Sequence, residues 1–364
     1  MSYARHLPYN DLPLIPPVAE LETRAVLKQA IAANRNLADL RGLARQIPNP
    51  RLLINSIVLQ EARLSSQIEN IVTTNDELFR AAADPERHAD PHTKEVLRYR
   101  QALWFGFDAL QQRPLSTNLF VEIVRIIKSS NYDVRRATGT TLINQNDGSV
   151  LYTPPEGETV IRDKLTNLER FIHAHEGVGE GLDPLVKLAV LHYQFEAIHP
   201  FPDGNGRTGR ILNILYLVEQ GLLDLPILFL SHYILHNRPV YYERLRQVTE
   251  EGGWEAWILF MLEAVAQTSK QTAERISRIV VLMEEVRLRV QTESPRIYSK
   301  DLIEAIFMHP YCKIRFLEES GIAKRQTASG YLRTLADLGV LRPLKIGKEW
   351  YYINDALLGA LVDA

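Results

Sequence analysis

Hydrophobic positions along the chain recur mostly with helical spacing, and two such stripes bracket one polar stretch near the middle. Upstream, the stripe Leu185, Leu188, Ala189, His192, Phe195 and Ile198 opens after Asp183 as cap, with Pro184 in the first turn. Downstream, Ile211, Leu212, Leu215, Tyr216 and Val218 form a second stripe that stops at Gly221. The twelve residues from His199 to Arg210, HPFPDGNGRTGR, are therefore expected to turn between two helices.

The rest of the pattern is also largely helical. Residues 1–20 are proline-rich and read as an extended arm that drapes over a neighbouring surface. Val26, Leu27, Ala30, Ile31, Leu37 and Leu40 predict one or two helices over 21–43, before a break from Ile47 to Pro50. A striped helix with Leu53, Ile54, Ile57, Val58 and Leu64 follows over 51–69. Residues 71–113 continue helical around a polar loop at Ala83 to His92, with Val96, Leu97, Leu103, Phe107 and Leu110 as core. Ser116 is placed to cap a helix bearing Leu119, Phe120, Ile123, Ile126 and Ile127.

Between Gly139 and Pro155 the period changes. Thr140 to Asn144 and Val150 to Thr153 alternate as strands do, joined by the turn signal Gln145 to Gly148. An isolated hairpin is marginal in water and leans on something else. Beyond the second stripe, Trp254 to Val265 reads as a buried helix and Gln267 to Gln291 as a long charge-rich one, a linker or a dimer surface.

Composition narrows the class. An apolar share of 46% and a charged share of 24% over 364 residues are those of an ordinary soluble protein of two or three domains. A net charge of −2 carries no overall bias toward nucleic acid or acidic membranes, so partners must be sought locally. No run of eighteen apolar residues and no apolar leader segment is present, and a cytoplasmic protein with no membrane partner is expected. The single cysteine, Cys312, excludes an internal disulfide and a cysteine-cluster zinc site. His173 and His175, two apart, fall on different helix faces and read as exposed rather than as a metal pair.

The turn itself concentrates chemistry. Gly204, Gly206 and Gly209 allow left-handed or crowded backbone, so that N–H groups from Gly204 through Thr208 converge at a helix start and form an anion site. Arg207 and Arg210 share a helical face and can clamp phosphate oxygens. Asp203, just before the nest, suits a hard cation bridging nucleotide phosphates and is assigned to Mg²⁺. His199 is the only group here whose ordinary pKa lies near neutrality, and it is the candidate general base. The run also fits G-x-G-x-x-G, but that dinucleotide fingerprint follows a strand, and here a helix precedes it.

These residues resemble the Fic (filamentation induced by cAMP) AMP-transferases, whose motif is H-x-F-x-[DE]-G-N-G-R-x-x-R. His199, Phe201, Asp203, Gly204, Asn205, Gly206, Arg207 and Arg210 match it without departure. The resemblance implies transfer of AMP from ATP to a protein hydroxyl with release of pyrophosphate. In that scheme His199 deprotonates the target and Asp203 holds Mg²⁺. Asn205 and the glycine backbone bind the α- and β-phosphates, and Arg207 and Arg210 bind the β- and γ-phosphates. Phe201 anchors the loop. The region 231–243 would border adenine and ribose, with His236 and Tyr241 as candidates and Tyr242 as core. The hairpin of residues 139–155 resembles the family's flap, which holds a target segment as an added strand.

Within the same resemblance, Ser65, Glu69 and Asn70 match the inhibitory motif [ST]-x-x-x-E-[GN], N-terminal to the core. Ser65 and Glu69, four apart, share one helical face, a spacing that by itself marks only a solvated helix end. The implied device is competition: Glu69 pairs with Arg210 and takes it from the γ-phosphate.

Residues 296–364 read as helix, helix, helix, hairpin, which resembles a winged helix. Ten Lys and Arg against eight Asp and Glu leave +2, a thin basis for DNA contacts through Lys324, Arg325 and Arg333. The expected architecture is mainly α: an N-terminal helical region (1–115) with the inhibitory helix, a Fic-type core (116–265) with its hairpin, a linker helix (266–295) and a winged-helix-like unit (296–364). The expected function is a self-restrained protein adenylyltransferase. Its partners are ATP, a protein target that includes the chain itself, a second copy as homodimer, and DNA through 296–364. Removal of AMP by the same site and a nucleotide-sensing DNA-binding regulator are the alternatives.

Overall fold

The computed structural model describes residues 3–45, 47, 49–84, 90–144, 147–174 and 181–362, with backbone alone for 50–55. The arm of the first twenty residues lies against the body of the protein. Tyr9 N donates to Thr153 O at 3.1 Å, Lys164 Nζ donates to Leu12 O at 2.7 Å, and the Asn167 amide pairs with both backbone groups of Ile15 at 2.9 and 3.0 Å.

Four helices follow: α1 (Arg24–Arg45), α2 (Pro50–Ile68), α3 (Asn75–Ala83) and α4 (Pro91–Ala109). Their starts obey local capping chemistry. Thr74 and Glu77 form a reciprocal capping box on α3, and Asp90 accepts from Thr93 N at 3.0 Å with Pro91 opening α4. Ser116 caps α5 (Thr117–Lys128) as expected. Two short antiparallel strands, β1 (Leu142–Ile143) and β2 (Val150–Tyr152), make the hairpin; of its turn, Gln145 and Asn146 lie outside the described residues, as do Pro48 and 85–89 of the two expected loops. The apolar side chains Leu53 and Ile54 of the expected α2 stripe lie outside them too.

A helix that the periodicity did not single out, α6 (Glu158–Ile172), comes next and receives the N-terminal arm. His173 ends it, half-buried rather than exposed, with Nε2 2.7 Å from Leu115 O; His175 lies outside the described residues. The centre of the core is α7 (Pro184–Ile198), capped by Asp183, packed beside α8 (Asn205–Glu219). The stripe expected on α7 is too narrow: every residue from Leu185 to Ile198 except Glu196 is buried, as suits a helix enclosed on all sides. Then come α9 (Leu230–His236), α10 (Arg238–Glu251) and α11 (Trp254–Glu293).

The 40-residue α11 runs without interruption across positions 265 and 266, where the chain was expected to pass from core to linker. It continues because α1 packs along it, with Asn36 Nδ2 donating to Ala266 O at 3.0 Å, so no turn is needed where the apolar pattern thins.

The C-terminal elements are α12 (Lys300–Met308), β3 (Tyr311–Cys312), α13 (Ile314–Glu319), α14 (Arg325–Asp337), β4 (Arg342–Ile346), β5 (Glu349–Ile353) and α15 (Asp355–Val362). The expected hairpin is β4 and β5, and β3 adds to β5, giving the antiparallel order β3-β5-β4. β3 and α15 are too short for periodicity to reveal. Lys324, Arg325 and Arg333 are exposed. Cys312 is free and fully buried. Among the described residues no helix is long and apolar enough to cross a membrane.

Candidate active site

The turn between the helices is shorter than expected, 199–204, because α8 already begins at Asn205, and the side chains of 199–210 close it. His199 caps the end of α7 in the left-handed region (φ 47°, ψ 59°), with its N–H donating to Phe195 O at 3.0 Å. Phe201 is fully buried against Phe195. The Asn205 amide donates to Phe201 O and accepts from Phe201 N, both at 2.8 Å, and Thr208 Oγ1 donates to Gly204 O at 2.9 Å. Asn205 and Thr208 therefore hold the loop's shape. The resemblance implies Asn205 on the phosphates; here its side chain is committed to Phe201, and of the nearby N–H groups Gly204 N already donates to Asp203 Oδ1 and Thr208 N to Gly204 O.

The three glycines differ in their reasons. Gly204 needs the left-handed region (φ +82°). Gly206 and Gly209 need the space: a Cβ on Gly206 would meet Glu69 Oε1, and one on Gly209 would stand 2.7 Å from Glu196 Oε1 and 3.0 Å from Phe195 Cδ1.

Each cation of the site is already paired. Arg207, 1% exposed, reaches Glu95 Oε1 on α4 at 2.5 Å; Glu95 takes Lys128 Nζ at 2.8 Å, and Lys128 also takes Asp203 Oδ2 at 2.5 Å. Burial would raise the Glu95 and Asp203 carboxyls, but Lys128 and Arg207 outweigh it and hold both below the usual range. On the other side, Arg210 Nε donates to Ser65 Oγ at 2.8 Å, and its Nη2 donates to Ser65 O at 3.0 Å and to Glu69 Oε1 at 2.8 Å. Burial would raise the Glu69 carboxyl too, and Arg210 overcomes it. Three cations, Lys128, Arg207 and Arg210, thus face three carboxylates, Glu69, Glu95 and Asp203. An anion that takes one of these side-chain cations must compete with a carboxylate.

His199 is uncharged at neutral pH. Burial, with Arg135 second, pushes its pKa down to about 4. Arg135 is a residue that the sequence reading missed. It is 3% exposed, and it ties His199 to the base of the hairpin: Nε donates to His199 O at 2.7 Å and Nη2 to Pro155 O at 2.9 Å. Tyr152 of β2 adds a bond to Ala197 O at 2.8 Å.

Two buried carboxyls stand behind Arg210. Glu61 accepts from Ser231 N at 3.1 Å and from Tyr99 Oη at 3.3 Å, and burial raises it to about 7. Glu196, whose Oε1 has no hydrogen-bond partner among the described residues, is raised to about 7 by burial as well. Glu61 had a signal that was not used: it precedes Ser65 by four residues, as Ser65 precedes Glu69, so all three lie on one face of α2. Nothing local marked Arg135, Lys128 or Glu95.

The candidates from 231–243 divide against expectation. Tyr241, proposed for the nucleotide, is 1% exposed in a cluster with Trp257 and Phe260, and its hydroxyl lies 2.9 Å from His192 Nε2. Tyr242, expected in the core, is 44% exposed. A one-residue error in helical phase, about 100° of rotation, exchanges the two. His236 is exposed, with Nδ1 2.8 Å from His232 O. Asn70, at the end of α2, has left-handed backbone (φ 61°) and accepts from Arg238 Nη1 at 3.1 Å.

Among the described residues no group of three or more His, Cys, Asp or Glu could hold a metal by itself. Asp203, with its side chain 53% exposed, is the one acid of the loop and suits Mg²⁺ only as part of a shell completed by phosphate oxygens.

The chain matches three family profiles: Fic/DOC family N-terminal over residues 27–108, Fic/DOC family over 114–217, and the protein adenylyltransferase SoFic-like C-terminal domain over 282–357. It is 31% identical to a probable protein adenylyltransferase of Aquifex aeolicus over 176 residues, 46% of this chain and 48% of that protein. It is 36% identical to a protein adenylyltransferase Fic of Nematostella vectensis over 89 residues, 24% of this chain and 19% of that protein. The aligned stretch thus spans about half or less of the length of these curated relatives. Among solved structures, a Fic family protein from Desulfovibrio desulfuricans superposes with a TM-score of 0.56 at 18% identity, over 93% of this chain and 98% of that one. Fic-1 from C. elegans gives 0.52 at 20% identity, over 71% and 74%. The fold is shared with both.

Proposed function

We propose, from the premise that this chain belongs to the Fic/DOC family, that it is a protein adenylyltransferase held in check by Glu69. The observation that carries the reading is the pairing of Arg210, last residue of the histidine-led turn, with Ser65 and Glu69 from α2. An arginine at a helix start, met by a carboxylate, is an anion subsite already occupied by an anion of the protein.

In this reading ATP enters with its phosphates over the N-terminus of α8, and Arg210 and Arg207 take the outer phosphates as their carboxylate partners give way. Mg²⁺, held by Asp203 and the phosphates, would neutralise charge on the leaving pyrophosphate. A target segment lies along the hairpin, where Ile143 and Leu151 are exposed, and presents its hydroxyl. The hydroxyl oxygen attacks the α-phosphorus, the bond to the β-phosphate oxygen breaks, and His199, uncharged at neutral pH, takes the hydroxyl proton. Arg135, through the carbonyl of His199, positions that base. His236, exposed, remains a candidate for the nucleoside.

In this reading the N-terminal helical region spans residues 1–115, the Fic-type core 116–265, the linker 266–295 within α11, and a winged-helix-like unit 296–364, for which three helices followed by β4 and β5 give support. The test is transfer of label from α-labelled ATP to protein, in Mg²⁺ and with chelator. Label on this chain or on an added protein, dependent on His199 and on Mg²⁺, is expected; nucleotide binding without any transfer overturns the reading.

A further inference from the structure

A cavity of about 540 Å³ lies where α2, α3 and α4 meet the turn between α12 and β3. It is separate from the histidine-led turn, none of whose residues line it. Its walls are aromatic: Phe79 and Tyr311 stack at 6.3 Å with 8° between their planes, and Trp104 and His309 stand with them. Two arginines face it. Arg98 is anchored by Nε to Ile127 O at 2.9 Å, whereas Arg100 has neither a hydrogen-bond nor an ion-pair partner among the described residues. Ser56 of α2, 1% exposed, is also among its lining residues, with its Oγ buried and without a hydrogen-bond partner among the described residues.

Arg100 is part-buried and carries its charge there without a counter-ion among the described residues. Burial lowers the pKa of Arg100, the direction expected of a guanidinium with no counter-charge. Beside it, burial and the charge of Arg100 push His309 down to about 4, so His309 offers an uncharged ring at neutral pH. Cation and aromatic faces would both be satisfied by one kind of molecule, a flat ring carrying an anionic group.

We propose that this cavity binds a small aromatic anion, an aryl ring bearing one carboxylate or phosphate, with Arg100 on the anionic group and Phe79, Trp104 and Tyr311 around the ring. The site sits on the helix that ends at Glu69, thirteen residues after Ser56. The inference does not rest on AMP transfer and is tested by binding alone.

The experiment is calorimetric titration of the full chain with 2-naphthoate and with 2-naphthyl phosphate, the two arms separating carboxylate from phosphate. Saturable one-to-one binding of at least one probe is expected. Arg100→Ala should weaken it at least tenfold, and Arg100→Lys, which keeps the charge but loses the planar fork, should weaken it less. Circular dichroism checks the fold of each variant; the wild-type titration decides the matter if a variant fails to fold. No saturable binding of either probe at millimolar concentration, or equal affinity in Arg100→Ala, overturns the proposal.

Discussion

Glu69 and Arg210, 141 positions apart, meet at 2.8 Å, and Ser65 holds the same guanidinium through its hydroxyl and its carbonyl. A charge-assisted hydrogen bond contributes about 1.5–3 kcal/mol, and the third of the Glu69 side chain that faces solvent places this one toward the lower end. Removing the carboxylate should therefore free Arg210 for phosphate by about tenfold. Glu69→Gly is expected to label itself from α-labelled ATP about ten times faster than the parent chain. A variant no faster than the parent would remove Glu69 from the role of brake.

His199→Ala should lower transfer by about 10²- to 10⁴-fold, the usual contribution of a positioned base. Its fold should persist, since Asn205, Thr208 and Phe201 shape the turn without the imidazole. Undiminished labelling by a folded variant excludes the assignment.

The pH profile follows from burial. With its pKa near 4, the His199 ring stays neutral from pH 5 upward, so transfer should be flat through pH 6.5 and fall only as pH drops toward 4. An inflection near the ordinary histidine value would show the ring to be solvated instead.

Glu196 makes a stability prediction with the opposite pH sense. Its folded pKa, about 7, lies above the ordinary 4.5, so the folded state favours the protonated form. That contribution is complete below about pH 4.5 and is lost as pH rises through about 7. Glu196→Gln should therefore raise the melting temperature at pH 8 more than at pH 5. Equal shifts at both would mean that the carboxyl is not desolvated.

Gly209→Ala places a Cβ 3.0 Å from Phe195 Cδ1, a ring fully buried and unable to retreat. Overpacking of this kind costs about 1–3 kcal/mol, measurable by denaturant titration. Gly221→Ala is a useful contrast, because no neighbour approaches there and only its positive φ is strained.

Much of the site was legible because it is local. The caps at Asp183 and Ser116, the turn after α7 that begins at His199, and the hairpin of residues 139–155 each depend on residues a few positions apart. Reading failed where phase or environment ruled. Tyr241 and Tyr242 are indistinguishable by type, and only the packing of α10 on Trp257 decides which is core. Asn205 was placed on the phosphates by resemblance alone, and here Phe201 offers its side chain both a donor and an acceptor within reach.

By itself the sequence determined the kind of chemistry: one imidazole, one loop acid, two arginines and three glycines in twelve residues, at the start of a helix. Only the tertiary structure decided what each of them meets. Glu95 finds Arg207 across 112 positions, and Arg135 finds the carbonyl of His199 across 64. Such partners are chosen by how helices pack around α7, and burial then makes every choice consequential, since a charge withdrawn from water must be matched by another.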